Sequence, residues 1–335
     1  MVKRSLFIFL ILVIGVSACI SIEKADPKKG THPITSTTKI RLPMGYIPSV
    51  QFAPFYVALD KGYYKDESLD IEFDYSFETD AVTLVGHQDL PFAVVSGEQV
   101  LLARAQGLPV VYVMTYYKDY PVVLVSKSDK QISKPNDLIG KRVGVPMLSG
   151  ASYIGLRAML SATGIKENQI SLETIGYNQV ESLALDKQEV VVCYINNEPV
   201  QMESQGYKVN SLRVSDYVLL VSTGLITNEL TLMKNPDLVR RMVKATLRGI
   251  RSTIEDPKEA FEISKKYVDN LANANPQQEK DQKEILKVTL DLWRSDPMGK
   301  TNPKAWENMQ NVLLDMGMLM KKLDVGKAYS NEFLK

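Results

Sequence analysis

Residues able to act as acids, bases, nucleophiles or metal ligands are sparse in this chain of 335 residues. It holds two histidines, His32 and His87, and two cysteines, Cys19 and Cys193. Their spacing suits no metal site, and no Gly-rich phosphate loop of the dinucleotide or P-loop kind occurs. His87 lies in Leu84-Val-Gly-His-Gln-Asp, at an expected helix end, where an imidazole ordinarily partners the helix dipole. Cys193 sits in the apolar run Val190-Val-Val-Cys-Tyr-Ile, which predicts a buried, inert thiol rather than a nucleophile. No catalytic constellation, metal or cofactor is expected, and recognition is favoured over catalysis.

Groups suited to holding a ligand are more frequent, and they recur at equivalent places. After the apolar-alternating run Ile40–Met44 come Tyr46, Ser49, Gln51 and Phe55. Ser96, Gly97 and Glu98 follow Phe92–Val95, and Thr115, Tyr116, Tyr117 and Tyr120 follow Val110–Met114. Ser149, Gly150, Ala151, Ser152 and Tyr153 follow Arg142–Val145; Gly176, Tyr177 and Asn178 follow Ser171–Ile175. Asn196, Asn197 and Glu198 follow Val190–Ile195. Each group lies past the carboxyl end of an expected strand, where α/β proteins hold ligands. Each also has a plain structural role. Ser96-Gly97 and Ser149-Gly150 suit helix N-caps, Asn196-Asn197 suits a turn, and Glu198 suits a helix start. The repeated pairing of aromatics with amides or hydroxyls argues for a site. Tyr46, Phe55, Tyr116, Tyr117 and Tyr177 would supply flat faces. Ser49, Gln51, Ser96, Ser152, Asn178, Asn196 and Glu198 would supply hydrogen bonds. Arg104 and Arg157 fall inside helices, so an anionic ligand would lack its usual partner. The expected ligand is uncharged, planar and polar-edged, although the helix start at Gly150-Ala-Ser could accept an anion.

The elements that must position these groups alternate. Short β-like runs separated by helical segments predict βαβ units and a largely parallel sheet. A second α/β half is inserted into the first: residues 39–121 plus 225–335 form one lobe and 122–224 the other. The chain crosses between them near Pro121–Leu124 and Leu220–Thr227. Tyr217–Thr227 is expected as one long strand. From Asn228 the pattern is helical, with stops at Pro257, Pro276, Pro297 and Pro303. Two lobes with two crossovers make a hinge that can close on a ligand.

Apolar residues make up 45% of the chain and charged residues 24%, an ordinary globular composition. The net charge of +1 offers no electrostatic footprint for nucleic acid. Met1-Val-Lys-Arg followed by the apolar stretch Leu6–Val16 predicts a signal peptide over residues 1–18. Its end, Val16-Ser-Ala-Cys19, resembles a bacterial lipobox, so Cys19 is the expected lipidation site. Residues 19–38, rich in Ser, Thr, Lys, Pro and Gly, predict a flexible tether, with His32 solvated in it.

Several segments together resemble the substrate-binding proteins of ABC importers. They are Gly45-Tyr-x-Pro with Ala53-Pro-Phe-Tyr-Val-Ala, Lys61-Gly-Tyr-Tyr, Ala103-Arg-Ala-Gln-Gly-Leu-Pro-Val, Asp137-Leu-Ile-Gly-Lys-Arg-Val-Gly-Val and Asn197-Glu-Pro. The match runs from about Ile40 to the C-terminus and is narrowest with the branch related to yeast thiamine-pyrimidine synthase. The resemblance implies a two-lobed α/β fold of the periplasmic-binding-protein type II, a permease and ATPase as partners, a monomer, and anchorage to the extracytoplasmic face of the cell membrane. Pyrimidine binders of the branch typically carry Asp-Trp-x-x-Asn in the first loop, where this chain has Gly45-Tyr46-x-Pro48 with Ser49 and Gln51. The Cys-rich motif and active-site His of the synthases are absent. The first loop looks most like the riboflavin-binding lipoproteins of the branch, which implies riboflavin as ligand. The alternatives are a thiamine-precursor pyrimidine, another small solute such as a sulfonate, a pyrimidine-biosynthesis enzyme, or a membrane-tethered sensor domain.

Overall fold

A computed structural model describes residues 37–269 and 271–334 of the protein; the leader, Cys19 and the tether up to residue 36 lie outside the described residues. The fold opens with β1 (Thr38–Gly45), so Thr38, expected in the tether, already belongs to a strand. Ile40, Leu42 and Met44 are buried while Lys39 and Arg41 face solvent, the alternation of a half-buried strand. Then follow α1 (Ala53–Asp60), α2 (Tyr63–Asp66), β2 (Leu69–Phe77), α3 (Glu78–Gly86), β3 (Ala93–Val95), α4 (Gly97–Ala105) and β4 (Val110–Thr115). The middle of the chain supplies β5 (Val122–Lys127), β6 (Arg142–Val145), α5 (Gly150–Ala162), β7 (Ser171–Thr174), α6 (Gln179–Ala184), β8 (Val190–Tyr194), α7 (Glu198–Ser204) and β9 (Val209–Arg213). The last part runs β10 (Gly224–Asn228), α8 (Glu229–Lys234), α9 (Pro236–Glu255), α10 (Pro257–Ser264), α11 (Pro276–Trp293) and α12 (Pro303–Asp315).

The sheets are mixed rather than largely parallel. β1 pairs in parallel with β2 and lies beside β3, and β10 runs antiparallel between β3 and β4. The five-stranded sheet has the order β7-β6-β8-β5-β9, in which β5 is antiparallel to both β8 and β9. The cause is topological. β5 follows β4 and β10 follows β9 with no crossover helix to return the chain to the parallel direction. Each sheet system thus holds one reversed strand, the first that the chain lays down on crossing into it.

Two further expectations are corrected. The long strand over Tyr217–Thr227 is only β10; residues 217–223 are irregular because they carry the chain from one sheet to the other, and Leu220 and Val221 are buried on the way. β9, whose alternation was missed, pairs with β5 instead. Pro257, Pro276 and Pro303 do not stop helices but occupy the first positions of α10, α11 and α12, behind the capping side chains of Asp256, Asn275 and Asn302. Proline suits that position because its missing N–H is an orphan there in any residue.

The helices hold the strand ends in place. On α9, Leu238, Val239, Met242, Val243 and Ile250 are buried, and the helix packs on α1 and α2. α12 lies against both α4 and α5 and carries the fully buried Trp306, whose indole N–H donates to Thr301 Oγ1 at 3.0 Å. Trp293, at the end of α11, is fully buried against Tyr116 and Tyr117.

Candidate ligand-binding cleft

The β1–β2 register sets the first wall. Gly45 pairs with Phe77 after a shift between Pro43 and Gly45, which brings Phe77 and Glu78 beside Gly45 and Tyr46. Gly45 has φ +74°, and a Cβ there would stand 2.7 Å from Glu78 Cγ, so glycine lets the two backbones approach. α3 begins at Glu78, so this carboxylate stands at a helix start at the carboxyl end of β2.

A cavity of about 370 Å³ opens past these strand ends. Met44, Tyr46, Gln51, Phe52, Phe77, Glu78, Ser96, Gln99, Tyr117 and Thr223 line one side. Pro146, Met147, the first turn of α5 from Gly150 to Ser152, Tyr177, Gln179, Cys193, Tyr194, Asn197 and Glu198 line the other. Of the sequence-derived candidates, Tyr46, Gln51, Ser96, Tyr117, Ser152, Tyr177 and Glu198 meet here.

The rest do not line this cavity. Phe55 is fully buried, and its ring lies 4.9 Å from Tyr116, which is itself buried. The Tyr116 hydroxyl donates to the Gln51 carbonyl at 2.7 Å, and its ring sits 4.8 Å from Tyr117. Phe55 and Tyr116 therefore back the cleft wall and fix Tyr117 and Gln51. Asn196 is fully buried and donates to Thr289 Oγ1 at 2.9 Å, tying the end of β8 to α11. Asn178 is exposed and turns back to donate to the Ile175 carbonyl at 3.1 Å. Ser49 accepts from the Gln51 N–H at 3.2 Å and faces a neighbouring cavity. Tyr153 belongs to a cluster with Arg157 and Glu167, and Tyr120 donates to the Ala151 carbonyl.

Ser96 departs from its expected capping role. It precedes α4 but makes no side-chain cap; its hydroxyl donates to both Glu78 oxygens, at 2.9 and 2.8 Å. Burial pushes the Glu78 carboxyl up to about 7, with the Ser96 hydrogen bonds opposing. Behind it Glu98 is fully buried, and neither of its oxygens has a hydrogen-bond partner. Burial, with the charge of Glu78 adding to it, pushes Glu98 up to about 8. At the opposite side, Glu198 opens α7, accepts from the Tyr194 N–H at 3.1 Å and from Asn197 Nδ2 at 3.3 Å, and has its carboxyl raised by burial. Tyr46 is pushed up to about 12 by burial, then by Glu198 and Tyr177, so its hydroxyl stays a donor. Cys193 is buried in the wall, and burial raises its thiol.

Among the described residues no Lys, Arg or His lines the cavity. Arg104 pairs with Glu229 and Arg157 with Glu167. His87 caps the end of α3 and is exposed. The carboxylates Glu78 and Glu198 themselves occupy the positive ends of α3 and α7. The arrangement suits a neutral molecule with apolar faces and a polar edge, and it opposes anions. Among the described residues no group of His, Cys, Asp and Glu is placed to hold a metal ion, and no helix is long and apolar enough to cross a membrane. Sequence reasoning missed Phe77, Glu78, Gln99, Met147 and Thr223. The local signal for Glu78 is the acidic helix start Phe77-Glu-Thr-Asp.

The family model described as NMT1/THI5 like matches residues 49–260. The chain belongs to this family. A riboflavin-binding protein, RibY, from Chloroflexus aurantiacus is 34% identical over 99% of this chain and 97% of its own length. A formylaminopyrimidine-binding protein from Halalkalibacterium halodurans is 25% identical over 81% of this chain and 83% of its own. Among solved structures, the periplasmic aliphatic sulphonate binding protein SsuA from Escherichia coli superposes with a TM-score of 0.72 at 13% identity, covering 88% of this chain and 97% of that one. That likeness places this NMT1/THI5-like chain in the periplasmic-binding-protein fold, as the resemblance implied. These two relatives and the fold neighbour are named as binding proteins, while a relative from Legionella pneumophila, 25% identical over 89% of this chain and 92% of its own, is named as a 4-amino-5-hydroxymethyl-2-methylpyrimidine phosphate synthase.

Proposed function

We propose that the protein is the solute-binding lipoprotein of an ABC importer and captures riboflavin. Residues 39–121 with 225–335 form one lobe and 122–224 the other, and they close on the ligand about the segments between β4 and β5 and between β9 and β10. Closure presents the loaded monomer to a membrane permease and its ATPase. Lipid on Cys19, exposed by removal of residues 1–18, holds it on the extracytoplasmic face of the cell membrane, and no chemistry is done on the ligand.

The observation that carries this reading is the lining of the cleft. Met44, Phe52, Phe77, Met147 and the rings of Tyr46, Tyr117 and Tyr177 offer apolar faces, while Gln51, Ser96, Gln99, Ser152, Asn197, Glu78 and Glu198 offer polar edges without one cation. A flavin ring has two apolar faces and an edge alternating acceptors with an imide N–H, which a carboxylate or amide can read. Phosphorylated flavins, sulfonates and nitrate would meet carboxylates and find no basic partner. The full-length relative named for riboflavin binding supports the same ligand.

A second reading, an aminopyrimidine, is favoured by the two carboxyl groups of the lining, Glu78 and Glu198, which suit an amine-rich edge, and by the relative named for formylaminopyrimidine. Fluorescence titration of the mature chain separates them. Riboflavin emission is expected to quench as the ring stacks on tyrosine. A thermal shift with an aminopyrimidine and none with riboflavin would overturn the first reading in favour of the second.

A further inference from the structure

Beside the cleft lies a second cavity of about 300 Å³. The two share Tyr46, Gln51 and Asn197, so these residues form a neck between them. The first cavity is walled by aromatics and carboxylates. The second sets amides among apolar side chains: besides Gln51 and Asn197 of the neck, Gln201 comes from α7 and Gln278 and Gln282 from α11, alongside Ile47, Pro48, Val268, Leu271 and Ala274. Among the described residues its only charged lining residue is Asp269, which is exposed.

The amides at the neck are prepared for use. Gln51 is buried, and its hydrogen bonds run through its backbone: the N–H donates to Ser49, and the carbonyl accepts from Tyr116 and Tyr117. Its side-chain amide is left for the cavities. Gln201 Nε2 donates to Asn197 Oδ1 at 2.8 Å, which orients Asn197 and leaves the Gln201 carbonyl to accept. Amide side chains offer both donors and acceptors, which suits a chain of hydroxyls, since each hydroxyl both donates and accepts.

We propose that this amide-walled cavity is a subsite for a short, uncharged, hydroxylated chain borne by the ligand. The ring lies in the first cavity, and the chain passes over Gln51, between Tyr46 and Asn197, into the second. This rests on the flavin reading, because it requires a ligand made of a flat ring and a polyol. Gln201 and Gln282 then set selectivity for the full ligand over its bare ring.

The test compares riboflavin with lumiflavin, the same ring carrying a methyl in place of the polyol. Dissociation constants are measured for the wild-type chain and for Gln282→Leu, which lines the second cavity alone. The wild type is expected to prefer riboflavin by about tenfold or more, the worth of one or two net hydrogen bonds. The variant should lose much of that preference while holding lumiflavin nearly unchanged, which also reports that it is folded. Equal wild-type affinities for the two flavins overturn the subsite whether or not the variant folds, and leave the flavin reading standing. A parallel loss of both ligands in a variant with a native melting curve also overturns the subsite. Wild-type protein that binds neither flavin overturns the flavin reading and the subsite with it.

Discussion

The Ser96 hydroxyl lies 2.9 and 2.8 Å from the two carboxylate oxygens of Glu78. Ser96 ends one strand and Glu78 follows another, so the bond joins two chain segments at the cleft floor. A hydroxyl at a helix start ordinarily satisfies the helix's own N–H groups. Here it is diverted to a carboxylate that has no cationic partner in the cavity lining.

Replacing Ser96 with Ala is therefore expected to act on the cleft as well as on α4. Glu78 loses its only side-chain donor, and its carboxyl rises further above the ordinary range. Loss of a hydrogen bond to a charged group costs about 1.5–3 kcal/mol where the group cannot find water instead. Partial access of Glu78 to the cavity brings the expected cost to about 1–2 kcal/mol in urea unfolding. Ligand affinity should fall together with stability; a variant with wild-type values in both assays would mean that the bond holds nothing in place.

Glu98 gives a pH-dependent prediction. Its folded-state carboxyl is raised to about 8 and that of Glu78 to about 7, against an unfolded value near 4.5. Between those limits the folded chain binds more protons than the unfolded chain, so the pair subtracts stability as pH rises from about 5 to about 8. Below pH 4.5 both states are protonated and the effect vanishes. Glu98→Gln removes a buried group that must otherwise ionise without a partner. The variant's advantage over wild type should be larger at pH 8.5 than at pH 5, by on the order of 1–3 kcal/mol. An advantage that does not change with pH would show that Glu98 ionises as readily in the folded protein as in the unfolded chain.

Much of this was legible in the sequence because the signals were local. The alternation of Ile40, Leu42 and Met44 marked a strand, and Tyr46, Gln51 and Glu198 lay past strand ends, where the fold gathers its loops. Facing was not legible. Phe55 and Tyr116 have the same chemistry as Phe52 and Tyr117, yet the first pair packs ring on ring, 4.9 Å apart, behind the second, and only tertiary packing sets the pairs apart. Asn196 looked like a ligand amide but binds α11, more than ninety positions away in the chain. Glu78 was missed because what brings it to the cleft is the β1–β2 register, a long-range pairing with no local trace.

The difference between facing and backing residues can be measured. Tyr46→Ala removes a ring and a hydroxyl at the cavity mouth, where Tyr46 is partly exposed. Its expected cost is in affinity, about three- to tenfold, from the worth of one aromatic contact, with little change in melting temperature. Phe55→Ala empties a fully buried site and should cost about 3–5 kcal/mol of stability. If Tyr46→Ala bound riboflavin as wild type does, Tyr46 would not be part of the ligand's wall.

Gly45 and Gly150 both line the cleft with positive φ, +74° and +69°, but their surroundings differ. At Gly150 a Cβ meets nothing within 4 Å, so Gly150→Ala carries only the cost of a left-handed backbone, about 1 kcal/mol. At Gly45 the added methyl would stand 2.7 Å from Glu78 Cγ and 3.0 Å from the Val94 carbonyl oxygen. The Glu78 side chain would have to leave Ser96, and β1 would have to shift from β3. Gly45→Ala is therefore expected to cost about 2–4 kcal/mol, the left-handed strain plus the displaced contacts. It should also displace Glu78, so its affinity should fall further than that of Gly150→Ala. Denaturant unfolding and riboflavin titration of the two variants side by side decide the matter: equal penalties at both positions would mean that backbone strain alone is at work and that the close approach of Gly45 to Glu78 does not shape the cleft.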